Sequence, residues 1–239
     1  QVIWLMQGLS RQGVHSMLVC SAGTVIETVA RKVGLPLVAI SCKGDADLVF
    51  PLRLSRVLRR EKPDLVHCHS RRGGDLLAGW GALMSRTPAI ISRRVDSFEA
   101  PLVAALRYRP FNKVVAISDN IGAVLRKSRV SSQKVEVVRS AVDADAIKLN
   151  AERRQLKEFG IGDDNFSIVV VAQLIKRKGH RFLLNILPDL LAVYPGLRIV
   201  FFGRGPEEGR LGKLTHKLGV EHAVHFAGYR SDLDDYLAA

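Results

Sequence analysis

Residues 166–184 read FSIVVVAQLIKRKGHRFLL, and the fold turns on this stretch. Residues 168–172 form a continuous, mostly β-branched apolar run bounded by a polar turn. Such a run suits a strand covered on both faces, as in a parallel sheet. A short loop carrying Lys176, Arg177 and Lys178 follows, then Gly179 and an apolar-periodic helix. A loop so placed lies at the carboxyl edge of the sheet, where open α/β folds bind ligands. It also adjoins a helix N-terminus, whose free N–H groups and dipole favour anions. Three cations at that position suit a phosphate or diphosphate; a solvated basic turn is the plainer alternative.

Working outward, the same alternation fills the chain. Helices are expected at 1–11, 24–33, 47–61, 74–86, 98–109 and 119–127, and strands at 15–20, 35–40, 64–69, 88–92, 113–118 and 134–140. Asp47 is the expected N-cap of the third helix and Pro63 its stop. Leu48, Leu52, Val57 and Leu58 of that helix are expected to face the sheet. Residues 143–164 break the apolar rhythm with a polar helix, AERRQLKEFG, closed by Gly160 and Gly162. The alternation then resumes with strands at 166–172, 197–203 and 223–228, helices at 180–194 and 207–218, and a helix beginning at Ser231. Strands alternating with helices of this length mean βαβ units and parallel sheets. The expected domains are therefore 1–142, a linker 143–164, and 165–239, the last about half a Rossmann-type unit.

Charge separates the two halves. Residues 1–142 hold 22 Lys and Arg against 10 Asp and Glu, a net +12, whereas residues 143–239 hold 14 against 13, a net +1. The basic half expects an anionic surface. Arg53, Arg56 and Arg60 fall on one helical stripe and suit anionic lipid, with Arg126, Lys127 and Arg129 able to join them; a solvated face is the alternative. With aromatic residues at 6%, the chain offers little stacking surface for nucleic acid, which is not expected as a partner. No apolar run reaches the roughly 18 residues of a spanning helix. Cys20, Cys42 and Cys68 are odd in number and lack CxxC spacing, as in reduced cysteines of the cytosol. Because the chain opens at Gln1 inside a helical pattern and stops at Ala239 early in another, a fragment cut at both ends is expected.

Several constellations could carry chemistry. His67 and His69 are two apart on a strand and share a face. A metal pair is one reading, and a packed histidine beside one at the ligand edge is another. Gly203-Arg204-Gly205-Pro206-Glu207-Glu208-Gly209 follows the strand RIVFF and opens a helix, a relative of the dinucleotide fingerprint. Negative charge at Glu207 and Glu208 opposes a pyrophosphate there, and a tight turn explains the glycines equally well. Asp45-Ala46-Asp47 and Asp143-Ala144-Asp145 match a DxD pattern, but both precede helices, where capping explains them better. No metal site is expected.

Taken in order, HCHS, VVAISDNI, VEVVRSAVD, VAQLIKRKGHRFLL, VFFGRGPEEGRL and VHFAGYRSDLDDYL resemble the retaining GT-B glycosyltransferases of family four over nearly the whole chain. The resemblance implies an α/β fold of the GT-B kind: two Rossmann-like parallel-sheet domains facing a cleft, the second incomplete here. It implies transfer of a sugar from a nucleoside-diphosphate sugar, a co-substrate rather than a cofactor, to a lipid-linked saccharide. The expected setting is cell-envelope glycan synthesis, such as lipopolysaccharide, at the inner, cytoplasmic face of a membrane. By the same resemblance, His69 would face the donor sugar across the cleft and Lys178 would contact the diphosphate. Gln173, Gly203, Gly205, Gly228, Tyr229 and Arg230 would lie near the donor. Arg53, Arg56, Arg60, Arg93 and Arg94 are assigned to the acceptor or membrane side. The chain departs from the pattern in four places. Gln173 stands where the family usually has Arg, and Ser140-Ala141 where it has Asn-Gly. The Gly-rich loop would precede Gln1, and a pair of glutamates would follow Ala239. A fragment lacking both is expected to be inactive or poorly active. Two alternatives are a nicotinamide-dependent oxidoreductase resting on the GRGPEEG turn and a non-catalytic nucleotide-binding module.

Overall fold

The computed structural model describes residues 1–44, 46–69, 74–141, 153–162, 165–230 and 232–237. The chain divides into two compact units, Gln1–Ala141 and Val142–Ala239.

In the first unit the elements run α1 (Val2–Arg11), β1 (Leu18–Ser21), α2 (Val25–Lys32), β2 (Leu37–Ile40), α3 (Phe50–Glu61), β3 (Val66–Cys68), α4 (Gly74–Ser85), β4 (Ala89–Arg93), α5 (Pro101–Tyr108), β5 (Lys113–Ala116), α6 (Asp119–Lys127) and β6 (Val135–Val137). β1 pairs with β2, and the other strands form a sheet in the order β3-β4-β5-β6. Every pairing is parallel. The local signals are ordinary ones. Ser118 caps α6 by accepting the Ile121 N–H, and Pro101 occupies the first turn of α5, where its missing N–H costs nothing. α3 ends at Lys62 in the left-handed region, just before Pro63, which cannot continue a helix.

Glycines of α4 set how closely its neighbours approach. A Cβ at Gly79 would lie 2.7 Å from the Phe111 ring, and one at Gly81 would lie 3.0 Å from both a Leu54 methyl and the Pro51 carbonyl oxygen. The absent side chains let α3 and Phe111 seat against α4, closing a core that includes Leu54, Leu58, Leu77, Ala82, Ile91, Val114 and Leu125. Each large side chain buried there contributes roughly 1.5–3 kcal/mol.

α3 departs from the expected helix. It begins at Phe50, not Asp47, because Phe50, Pro51, Leu54, Val57 and Leu58 form the buried face. Leu48 and Leu52 are exposed rather than turned to the sheet. Val49, not Asp47, is the N-cap; the Asp47 carboxylate accepts the Lys43 N–H and pairs with Arg53. Asp45, the other acid of that DxD pattern, and the whole of 143–145 lie outside the described residues.

The second unit holds β7 (Ser167–Val171), α7 (His180–Val193), β8 (Arg198–Phe202), α8 (Glu208–Leu218), β9 (Val224–Gly228) and a terminal turn of helix, α9 (Asp234–Leu237). The three strands form one parallel sheet in the order β7-β8-β9. β8 runs through its centre and is covered on both faces. Ile199 and Phe201 meet Leu184, Leu187 and Leu211 on one side; Val200 and Phe202 meet Leu156, Ile161 and Tyr236 on the other. This is the period-two alternation of a strand feeding two cores.

The polar stretch expected to be a linker helix is, over Arg153–Phe159, a 3-10 helix that closes at Gly160 with φ +68°. Residues 142–152 lie outside the described residues. Its apolar residues Leu156 and Phe159 are three apart, a spacing that aligns on a 3-10 helix. Leu156 seats in the core on one face of β8, so this part of the expected linker belongs to the second unit.

Candidate functional site

The first unit presents its candidate at the carboxyl end of β3. His67 Nε2 lies 2.8 Å from Ser92 Oγ on β4. The His67 and His69 rings sit 3.9 Å apart, tilted by 38°. His69 Nδ1 is buried and has no hydrogen-bond partner among the described residues. Burial, with smaller contributions from His67 and Arg94, pushes the His69 pKa down to about 4. The imidazole is therefore neutral near pH 7. It can exchange a hydrogen bond with a sugar hydroxyl but cannot neutralise a phosphate. Among the described residues no group of three metal-ligating side chains gathers around the pair. Ser70 and Gly73, which follow His69 in sequence, are outside the described residues.

The five arginines assigned to acceptor or membrane separate into two kinds. Arg93 is 6% exposed and works inside the unit. Its guanidinium donates to the Val95 and Ser97 carbonyls and pairs with Glu99, which also pairs with Arg107 and accepts the Tyr108 hydroxyl. Arg53 is similarly occupied, bound to Asp47 and the Ser41 carbonyl. Arg93 is thus held by burial and internal partners, whereas Arg53, 29% exposed at its side chain, is only partly covered. Arg56, Arg60 and Arg94 are exposed; Arg60 pairs with the adjacent Glu61, and Arg94 donates to the Gln1 side chain.

In the second unit the loops after β7, β8 and β9 are joined by backbone hydrogen bonds at one edge of the sheet. Gly203 N–H donates to the Gly228 carbonyl at 2.7 Å, Leu174 N–H to Arg204 at 3.1 Å, and Glu207 N–H to Leu174 at 3.0 Å. The glycines make this approach possible. A Cβ on Gly203, whose φ is +144°, would lie 2.1 Å from the Ala172 carbonyl oxygen; one on Gly205 would lie 2.3 Å from that of Leu174. Gly203 and Gly205 of the GRGPEEG turn are thus required by a neighbouring strand's exit loop, whereas a Cβ on Gly209 would meet nothing within 4 Å.

Five predicted donor contacts, Gln173, Gly203, Gly205, Gly228 and Tyr229, lie on these joined loops, with Gln173 and Tyr229 exposed. Lys176, Arg177 and Lys178 form one 3-10 turn between β7 and α7, and Gly179, at φ +77°, leads into the helix. None of the three cations is buried, and among the described residues none has a carboxylate partner. Arg230 is different. It makes a two-toothed pair with Asp232, meets Glu158 at 3.3 Å, and lies over the Tyr236 ring at 4.9 Å. The edge therefore offers uncommitted charge at 176–178 and already neutralised charge at Arg230.

Sequence reading missed two members of this edge. His180 is buried with no partner for Nε2 among the described residues, packs edge-on against Phe201, and has its pKa lowered by burial and then by Lys178. Its position one residue after the glycine was the available signal. Glu158 binds Arg230 across 72 positions, which no local pattern could reveal.

Residues 2–146 match the family described as Glycosyltransferase Family 4, and residues 151–239 match Glycosyl transferases group 1. The chain belongs to glycosyltransferase family 4. It is 26% identical over 182 residues to a phosphatidylinositol N-acetylglucosaminyltransferase subunit of Arabidopsis thaliana, covering 72% of this chain and 39% of that protein. It is 24% identical over 193 residues to the lipopolysaccharide core biosynthesis glycosyltransferase LpsE of Rhizobium meliloti (strain 1021), covering 80% and 51%. The crystal structure of Anabaena Alr3699/HepE in complex with UDP and glucose superposes with a TM-score of 0.79 at 16% identity, over 99% of this chain and 68% of that one. The chain spans about half the length of the curated relatives it matches. The fold is the α/β, two-unit Rossmann-like fold of GT-B glycosyltransferases. Family membership sets the oxidoreductase reading aside.

Proposed function

We propose that the protein is a retaining glycosyltransferase that moves a sugar from a nucleoside-diphosphate sugar to a lipid-linked saccharide. Its proposed setting is lipopolysaccharide or other cell-envelope glycan synthesis, as a peripheral protein on the cytoplasmic face of a membrane. The observation that carries the reading is the cluster of exposed cations, Lys176 to Lys178, without carboxylate partners among the described residues, at the carboxyl edge of a parallel sheet and immediately before α7. A departing nucleoside diphosphate gains charge as the glycosidic bond to it breaks. A fixed ammonium and the free N–H groups of a helix start stabilise that charge as it grows. In this reading Lys178 meets the diphosphate, Gln173, Gly203, Gly205, Gly228, Tyr229 and Arg230 surround the nucleotide, and neutral His69 hydrogen-bonds the donor sugar. The nucleotide reading is supported by the UDP held in the Anabaena structure. The lipid-linked acceptor is supported by the names of the Arabidopsis and Rhizobium relatives and by the +12 charge of residues 1–142. Arg56, Arg60 and Arg94 remain exposed for an anionic acceptor or lipid surface. Among the described residues no helix is long and apolar enough to cross a membrane.

Calorimetric titration of the full-length protein with UDP, GDP and ADP tests this. One nucleoside diphosphate should bind, and Lys178→Ala should weaken it tenfold or more, about 1.4 kcal/mol per factor of ten. Binding that ignores Lys178, or no binding of any of the three, overturns the proposal.

A further inference from the structure

We infer that α5 and the turn before it are the part of the first unit that enters an anionic bilayer surface; the inference rests on the membrane reading above and assigns its contact. α5 is fastened to the unit by one narrow face, on which Ala104 and Tyr108 are buried. Tyr108 is further held by donating its hydroxyl to Glu99 at 2.9 Å. The opposite face is apolar and open. Leu102 is 83% exposed and Leu106, one turn on, is 54% exposed. Phe98, just ahead of the helix, is 56% exposed. Isolated exposed leucines need no explanation, but two on one helical face beside an exposed phenylalanine form a patch.

The surroundings decide what covers it. Arg109 follows on the leucine face, at the end of α5, and is exposed. The Glu99 N–H donates to Ser128 Oγ at 3.2 Å, which places the end of α6 against the start of α5. Ser128 is flanked by Lys127 and Arg129, both exposed, and among the described residues neither has a carboxylate partner. Lys134 donates to the carbonyls of Tyr108, Arg109 and Phe111 and so adds positive charge where α5 ends. An apolar helix face with exposed cations at its end and beside its start matches an interface of acyl chains beneath anionic headgroups.

Vesicle sedimentation tests the assignment, using phosphatidylcholine with and without phosphatidylglycerol. The full-length protein should bind only the anionic vesicles. Leu102→Ser with Leu106→Ser, and separately Arg109→Glu with Lys127→Glu and Arg129→Glu, should each weaken binding at least tenfold. Lys213→Glu with Lys217→Glu, exposed on α8 of the second unit, should weaken it less than threefold. Circular dichroism and thermal unfolding of each variant check that the changed surface residues leave the fold intact. A Leu102→Trp variant should also gain fluorescence quenched by brominated acyl chains. Anionic binding lost on Arg56→Glu with Arg60→Glu but kept by both α5 variants overturns the assignment while leaving the membrane reading standing. No binding to either vesicle overturns both. Self-association abolished by the leucine substitutions, without vesicle binding, makes the face a protein interface and overturns the assignment.

Discussion

The His69 side chain is held as a neutral base in a setting that resists its protonation. Its Nδ1 is buried without a partner among the described residues, His67 stacks against it, and Arg94 adds positive potential. Burial is the largest cause of its lowered pKa, so the effect belongs to the packed strand end and persists in salt. The pH dependence follows from which state binds more protons. Between the ordinary value of about 6.5 and the folded value of about 4, the unfolded chain takes up a proton that folded His69 refuses. Stability from this group is complete above pH 6.5 and is lost progressively as pH falls toward 4. His67, whose pKa burial also lowers, adds to the same slope. Thermal unfolding followed from pH 7 to pH 4 should therefore show a declining midpoint, and His69→Gln should decline less steeply because glutamine takes up no proton. A variant with the wild-type slope would show that His69 titrates normally.

The exit loops of β7, β8 and β9 act as one element because two glycines allow backbone to meet backbone. Gly203→Ala forces a Cβ to 2.1 Å from a carbonyl oxygen, at φ +144°. Neither the peptide nor the sheet edge can yield by that much. Destabilisation of about 3 kcal/mol or more is expected, measurable by urea denaturation. Gly212, inside α8, is the contrast: a Cβ added there would meet nothing within 4 Å, and alanine should stabilise by roughly 0.5–1 kcal/mol. Equal effects at both sites would mean that the loop contact is not what the glycines serve. Such contacts mark the limit of what was legible in the sequence. The order of strands and helices was readable because apolar runs, turns and periodic helices each have a local cause. The cation loop before α7 was readable for the same reason. Arg93 reads as a surface cation, although period two along β4 puts it on the buried face with Ala89 and Ile91; that signal is present in the sequence. The glycines of 203–209 invite a phosphate reading because a sequence shows a missing Cβ without showing what it would strike. The start of α3 is misplaced by sequence because Asp47 looks like a cap, whereas Arg53 and the Lys43 N–H hold it in the preceding turn. The pairing of Arg230 with Glu158 has no local signature at all.

At the scale of the molecule, each unit carries its own core. Val114, Phe111 and Leu54 centre the first, and Ile199, Phe201 and Leu184 the second. Units with separate cores unfold as separate cooperative steps unless a large shared interface couples them. Two substitutions deep in different units can reveal this. Arg93→Met in the first unit removes the buried guanidinium that Glu99 and the 95–97 carbonyls depend on, leaving Glu99 with Arg107 and Tyr108. Breaking a buried pair usually costs about 3–5 kcal/mol; with Arg107 still facing Glu99, about 2–3 kcal/mol is expected. Gly203→Ala acts in the second unit. Scanning calorimetry should resolve two transitions, with each substitution lowering one midpoint by several degrees and leaving the other in place. The double variant should show both shifts at their single-variant sizes, since sites without shared partners add within about 0.5 kcal/mol. One transition moved equally by both changes would mean that the two units fold as a single cooperative block. In that case a substitution in the first unit would also weaken nucleotide binding through lost stability, and the Lys178 titration would need to be read at matched fractions of folded protein.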